Sequence, residues 1–599
     1  MSGFTRKPYY RLVLLGLACL AASPVMADDD EDLAKEAFAV FKAKCYVCHG
    51  GEETYSGLRI LDGEVLFANR TGKPFVARGD LSSSKIWEVV QDDNMPVSPD
   101  DYVTPVPLSE AEKATIKKWI EGGAPLPQSG SQREFISRIQ VLEWIDDDTR
   151  RLDRRDKPNR KYLSLVNLHN NPNVTDYNLR LYRAALSKAL NSLSLSDQIE
   201  VPEAIDEYGT VFRIDLDDYG WTIEKWSTML DNYPYGFSPD SRQDDELELF
   251  RLLEQNLGAN FDRFPTIRAD WFIARATRPE IYHMFLDIPD TVTELERRLG
   301  VDREDDLEDG DFVRGGVLVS GISSQNRILD RHSSNFGSYW ISYDFSVEAG
   351  RGNISRFPLG PEHNDETLNR FAFKHDGGEI VFRLPNGLQG YMLTDGEGNR
   401  IDKGPTNIVA DNSRVSGTTE IINGLSCITC HKHGMKPFDD VVSFTHGVRD
   451  PEVVEMIETV YDVDEIQKHL RRDQAEHLVL LKRTIGPFLQ IEEDKDTPIE
   501  KFPEPISLVA REYDQNMTAT EMACELGLKS TDELRLNDPD MIDLGLGLLR
   551  DEFKDRPADL VYKRAMFDTL VDGQSVFHEV IRELGIGVPI RRSGGLTSE

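Results

Sequence analysis

Apolar residues recur at helical spacing near the start of the chain. Leu33, Ala37, Phe41 and Cys45 stand four apart and predict a helix that carries Cys45 towards a core. A second helix opens with Ser109 and Glu112 as a capping box, presents Ile116, Trp119 and Ile120, and stops at Gly122–Gly123. Gly122 to Gln132 is rich in Gly, Pro and Ser and reads as a linker. Residues 133–200 read as helical, first through Phe135, Ile136, Ile139 and Leu142, then from Tyr177 to Leu195. Val211 to Leu216 alternates like a strand, while Gln243 to Leu257 and Arg278 to Leu286 return to the helical period.

From Phe312 to Ile422 the pattern turns to strands. Glu379 to Leu384 runs as one strand, and Pro385–Asn386–Gly387 turns the chain into Leu388 to Leu393. The acidic run Asp302 to Asp311 lacks the ligand spacing of a calcium loop and reads as a solvated surface loop. Helices are expected again over Pro451 to Tyr461 and Val463 to Ile485, with a smaller helical module over 505–590. The fold class is therefore multidomain. It comprises an all-α domain (28–125), a mainly helical α+β region (126–310), a sheet-bearing α+β domain with following helices (311–485) and a C-terminal helical module (500–599). The sequence shows no internal repeat.

The first 27 residues change the picture of where the chain works. Arg6, Lys7 and Arg11 precede the apolar stretch Leu12 to Ala22, and Val25–Met26–Ala27 offers a small-residue cleavage site. This predicts export to a bacterial periplasm. A lipid anchor at Cys19 ranks second, because the leucine usual three residues before a lipidated cysteine is missing. No later stretch reaches the ~18 apolar residues of a membrane span. The 599 residues carry 69 basic and 105 acidic side chains, a net charge of −36. That balance argues against nucleic acid as a partner and favours a redox partner protein with a basic docking patch.

The chemistry lies in the cysteines. Of six, Cys19 falls in the leader and Cys524 in a helical pattern as a small hydrophobe; the other four form two CxxCH motifs. Two thiols three apart can together anchor one haem, and the adjacent histidine is placed to bind its iron. The motifs are Cys45, Cys48 and His49, and Cys427, Cys430 and His431. In an exported chain with no second CxxC nearby, a haem accounts for each better than a zinc or dithiol site. The cofactor expectation is two covalently bound haem c groups, each with its iron. Met95, in a loop and followed by Pro96, is the candidate sixth ligand of the first iron. His433 and Met435 lie too close to His431 to reach the opposite haem face. His332, His375, His446, His469 and His477 remain as candidates for the second iron. His332 leads because of its polar and aromatic surroundings, with Arg327 and Arg331 as partners for haem propionates.

Residues 31–125 resemble the planctomycete-type cytochrome c domain. The resemblance is carried by Cys45–Val47–Cys48–His49–Gly50, Gly57–Leu58–Arg59, Gly79–Asp80 with Ser83–Ser84 and Trp87, Met95–Pro96, and Leu108–Ser109 through Trp119–Ile120–Gly123–Ala124. It implies a class I cytochrome fold with Met95 as axial ligand. Residues 133–485 resemble an uncharacterised family of large exported dihaem cytochromes. That match is carried by Ile267 to Phe272, Ser320 to Ser323 with Asn326–Arg327, Tyr339–Trp340, Gly377 to Ile380, Pro385 to Tyr391 and Asn423 to Cys427. It implies haem binding and a shared architecture, without a substrate. Three functions stay open. The first is electron transfer. The second is a dihaem oxidoreductase, peroxidase- or oxygenase-like, with an open position at the second haem. The third is a cytochrome module tethered to a binding domain. Whether the chain is an enzyme is left open with them. The sequence contains no GxSxG, Walker or HExxH signature, so hydrolase and nucleotide chemistry have no support.

Overall fold

The computed structural model describes residues 25–590 apart from 50–57, 62, 68–72, 98–103, 127–132, 154, 156, 259–263, 319–325, 348, 362–368, 412–413 and 551–561. Most of the expected leader, and the linker beyond Leu126, lie outside the described residues. The chain combines helices with several sheets, as the pattern predicts.

The N-terminal region is helical. Helices α1 (Val25–Lys44), α2 (Tyr46–His49), α3 (Lys85–Gln91) and α4 (Glu110–Glu121) surround one apolar cluster. Phe41, Ile116, Trp119 and Ile120 are fully buried there, and the Phe41 and Trp119 rings meet edge to face at 5.3 Å. Each such buried side chain stabilises the domain by about 1.5–3 kcal/mol relative to its exposed state. The capping box is present: Ser109 Oγ accepts from the Glu112 N–H and the Ser109 N–H donates to Glu112.

Beyond it, α5 (Arg138–Arg151) leads into a strand that the apolar period does not betray, β1 (Arg160–Ser164). This strand pairs antiparallel with β2 (Val211–Asp215) and parallel with Ile267–Arg268. Its sequence Arg-Lys-Tyr-Leu-Ser reads as polar, yet four of its five residues are buried. Helix α6 (Asp176–Ser192) crosses the interior, with most of its residues buried.

The second sheet is a six-stranded antiparallel meander of β3 (Val313–Val317), β4 (Arg327–Ser334), β5 (Gly337–Asp344), β6 (Gly377–Arg383), β7 (Gln389–Asp395) and β8 (Arg400–Ile401). Neighbours in sequence are neighbours in the sheet, as hairpin-connected strands require. Helix α7 (Leu425–Cys430) follows, and α8 (Val463–Leu489) packs along one face of the meander.

One expectation gives way here. Asp302 to Asp311 is not an open loop, because Arg303–Asp309 forms a helix capped by the Asp302 carboxylate. Acidic side chains in its first turn complement the helix dipole. A single apolar cluster runs from Leu163 to Ile581 and includes helix α9 (Pro505–Tyr513), Phe567 and Phe577. Tyr46 touches both this cluster and that of the N-terminal domain.

Candidate functional site

The first CxxCH motif sits at the end of α1. The Cys45 N–H donates to the Phe41 carbonyl and the His49 N–H to the Cys45 carbonyl, both at 2.9 Å. The helical period therefore carries from the buried Phe41 through Cys45 to His49. Cys45 and His49 are both half-buried; the Cys48 side chain lies outside the described residues. Met95 is half-buried in the loop after α3, where the Asn94 and Met95 N–H groups both donate to the Val89 carbonyl. Lys113 on α4 reaches Asp93 at 2.6 Å and ties that loop to the last helix of the domain.

The second motif is built differently. The turn before α7 is fixed by Asn423, which is fully buried and bonded to His283 Nε2 at 2.6 Å. Gly424 follows at φ +82, where any Cβ would stand 2.5 Å from the Thr277 carbonyl oxygen. Only glycine fits there without strain. Helix α7 then delivers Cys427, Cys430 and His431 to the wall of a cavity of about 600 Å³. Val317, Leu318, Leu329, Ile421, Pro437, Phe438 and Val441 make most of the remaining wall apolar. The volume falls within the ~300–1,000 Å³ common for organic ligands. Cys427 and Cys430 are not joined to each other.

Burial pushes both thiols up, Cys430 to about 11 and Cys427 well beyond the ordinary thiol range with the Glu379 carboxylate adding to the shift. His431 Nδ1 lies 3.3 Å from the Gly434 carbonyl, an acceptor that calls for a proton on Nδ1 and leaves Nε2 on the Glu379 side. Nε2 faces Glu379 Oε2 at 3.6 Å. Burial opposes ionisation of Glu379, but when His431 is protonated that imidazolium, with Arg327, outweighs it and holds the carboxyl down at about 2. Two sulphurs, one imidazole nitrogen and an apolar wall form a donor set that fits a c-type haem.

The structure does not bring His332 to this cavity. Successive residues of a strand face opposite sides, so Arg327, Leu329 and Arg331 share one face of β4 while Ile328, Asp330 and His332 share the other. Arg327 and Leu329 line the cavity. His332 is 2% exposed on the far face, 2.6 Å from Asp306 and stacked on Phe312. The expected ligand role for His332 is corrected on that ground: the sheet itself lies between it and His431. Arg331 is held by Asp473 at 3.2 Å. Arg327 does reach the cavity, with its Nε on Asp344 at 2.5 Å and its Nη2 buried without a hydrogen-bond partner among the described residues. His477 on α8 is buried against Gly434, behind the His431 loop rather than on the cavity wall. His375 packs edge-on against Tyr343, and His469 lies 3.8 Å from Glu465.

Glu379 is the residue that sequence reading misses. In the sequence it is one polar position opening an apolar strand; only the pairing of Arg327 with Asp344 and of Asp344 with Gly377 puts it on the cavity face.

A haem-binding, electron-transferring segment is the class that the first motif and its helices define. The family model described as Planctomycete cytochrome C matches residues 45–100, which contain Cys45, Cys48, His49 and Met95. No curated protein and no solved structure shows significant similarity to the chain. Among the described residues no helix is long and apolar enough to cross a membrane.

Proposed function

We propose that the chain is an exported dihaem c-type cytochrome that transfers electrons. One haem c is held by Cys45, Cys48 and His49 with Met95 as sixth ligand, the other by Cys427, Cys430 and His431. The observation that carries the second site is the cavity with both thiols and His431 Nε2 on its wall. A haem bound there supplies reversible one-electron chemistry; the chain's own residues anchor it, orient the imidazole through Gly434 and exclude water with apolar walls. The leader pattern supports a periplasmic location, where haem is attached to such motifs. The acidic excess favours a redox partner with a basic docking patch and disfavours nucleic acid.

A second reading, a dihaem oxidoreductase with a ligand-binding second haem, is favoured by one feature. Glu379 and Arg327, whose Nη2 has no hydrogen-bond partner among the described residues, both occupy the cavity wall, and charged groups are costly to bury where only electrons must pass. Haem content decides the main reading. Pyridine haemochrome analysis and mass of the mature protein should give two haems per chain, and Cys427→Ala with Cys430→Ala should leave one. A wild-type chain with a single haem overturns it.

A further inference from the structure

A carboxylate on the core face of an interior strand needs a reason. β6 is flanked by β5 and β7, and Glu379 lies on its cavity face, 11% exposed. Burying an ionised group costs several kcal/mol unless its surroundings compensate. Glu379 is fixed from behind, since its N–H donates to Ser342 Oγ at 2.9 Å. Its carboxylate looks across at His431 Nε2, the atom left free for metal by the Gly434 contact. At 3.6 Å the two stand at ion-pair distance, with no room for a water between them. A first-row metal bridging nitrogen and oxygen donors at ~2.0–2.1 Å each needs ~4 Å between them. The gap is within a few tenths of an ångström of that span.

Other residues on the wall do not offer the same approach. Met435 and Lys436 follow His431 by four and five residues and are confined to its side of the site, and Lys436 and Asp439 are exposed. His332 is behind the sheet. The second, independent observation is Arg327. It is 8% exposed and lines the same cavity, and its Nη2 is unpartnered among the described residues. It supplies a fixed positive charge beside the carboxylate.

We propose that Glu379 closes the second iron site from the side opposite His431, as its oxygen ligand, making this haem a histidine–carboxylate centre unlike the histidine–methionine centre at Met95. The proposal rests on the reading of Cys427, Cys430 and His431 as a haem site. Oxygen ligation is weak-field, so the ferric second haem should be high-spin while the first is low-spin.

The test uses the full, matured chain and compares electronic absorption and electron paramagnetic resonance spectra of the wild type with those of Glu379→Gln and Glu379→His. Covalent haem content, read by pyridine haemochrome, should stay at two per chain in all three, which also controls for misfolding. Glu379→His should convert the high-spin haem to a low-spin bis-histidine species. Glu379→Gln should speed binding of carbon monoxide to the reduced second haem at least tenfold, and His332→Ala should change nothing. Two haems with unchanged spectra in both Glu379 variants, or a wild-type second haem already low-spin, overturn the ligand assignment alone. A wild-type chain with one haem overturns the dihaem reading and this proposal with it.

Discussion

At the scale of single residues, the interior of this chain holds more charge than its apolar pattern suggests, and buried carboxylates are matched by buried cations. Glu525 is the clearest case. Its carboxylate accepts from Arg268 at 2.9 Å and from Arg564 at 2.7 Å, all three side chains being buried. Burial raises the carboxyl, but the two guanidinium groups outweigh it and hold Glu525 at about 2. A folded-state pKa below the unfolded value stabilises the fold above the unfolded pKa, and that stability is lost as pH falls towards the folded one. Glu525→Gln should therefore cost on the order of 3 kcal/mol at pH 7. The difference from wild type should shrink as pH drops from about 4.5 towards 2. Denaturant unfolding at pH 7 and in steps down to pH 3 measures both; a pH-independent difference would show that the pair stabilises by packing alone. The same logic applies to Lys188 and Glu504, 2.9 Å apart and buried between α6 and α9. Lys188→Met removes the buried cation facing the carboxylate and should cost about 3–5 kcal/mol, whereas replacing both partners with apolar residues should cost much less.

At the scale of elements, the second motif depends on one backbone position. Gly424 turns the chain into α7 at φ +82, with the Thr277 carbonyl and the Tyr282 ring against it. An alanine there adds left-handed strain of about 1–2 kcal/mol and a backbone clash that can be relieved only by moving α7. Gly424→Ala should lower haem attachment at Cys427 and Cys430 while leaving that at Cys45 and Cys48 intact; unchanged haem content would mean that the turn does not position the motif. Much at this scale is legible in the sequence. The capping box at Ser109, the strand from Glu379, the turn at Gly387 and the long helix from Val463 are all local signals. What is not legible needs register. His332 and Arg327 are five residues apart on one strand, an odd separation that places them on opposite faces. Local polarity cannot tell which face meets the motif one hundred residues on. β1 escapes sequence reading for a related reason, because its arginine and lysine stems are accommodated by tertiary packing that overrides its polar pattern. The acidic run at 302–311 reads as a loop because Asp302 works as a cap, a role visible only once the helix beyond it exists.

At the scale of the whole molecule, the N-terminal domain is fastened to the body rather than trailing from it. Lys42 on α1 lies 3.9 Å from Asp494 and 3.9 Å over the Tyr177 ring, and Tyr46, the residue after Cys45, packs into the main core. Contacts at Lys42 and Tyr46 thus join the N-terminal helices to the main core. The full chain carries a net charge of −36. The potential of such a surface extends about 30 Å at 10 mM salt and about 8 Å at 150 mM. Encounter with a cationic partner should therefore be steered, and steering is a rate effect that salt removes. Stopped-flow reduction of the mature protein by a positively charged mediator should slow by about tenfold or more between 10 mM and 500 mM salt, and reduction by a negatively charged one should quicken. If both rates proved insensitive to salt, the acidic excess would serve solubility alone, and the basic docking patch expected on a physiological partner would lose its physical basis.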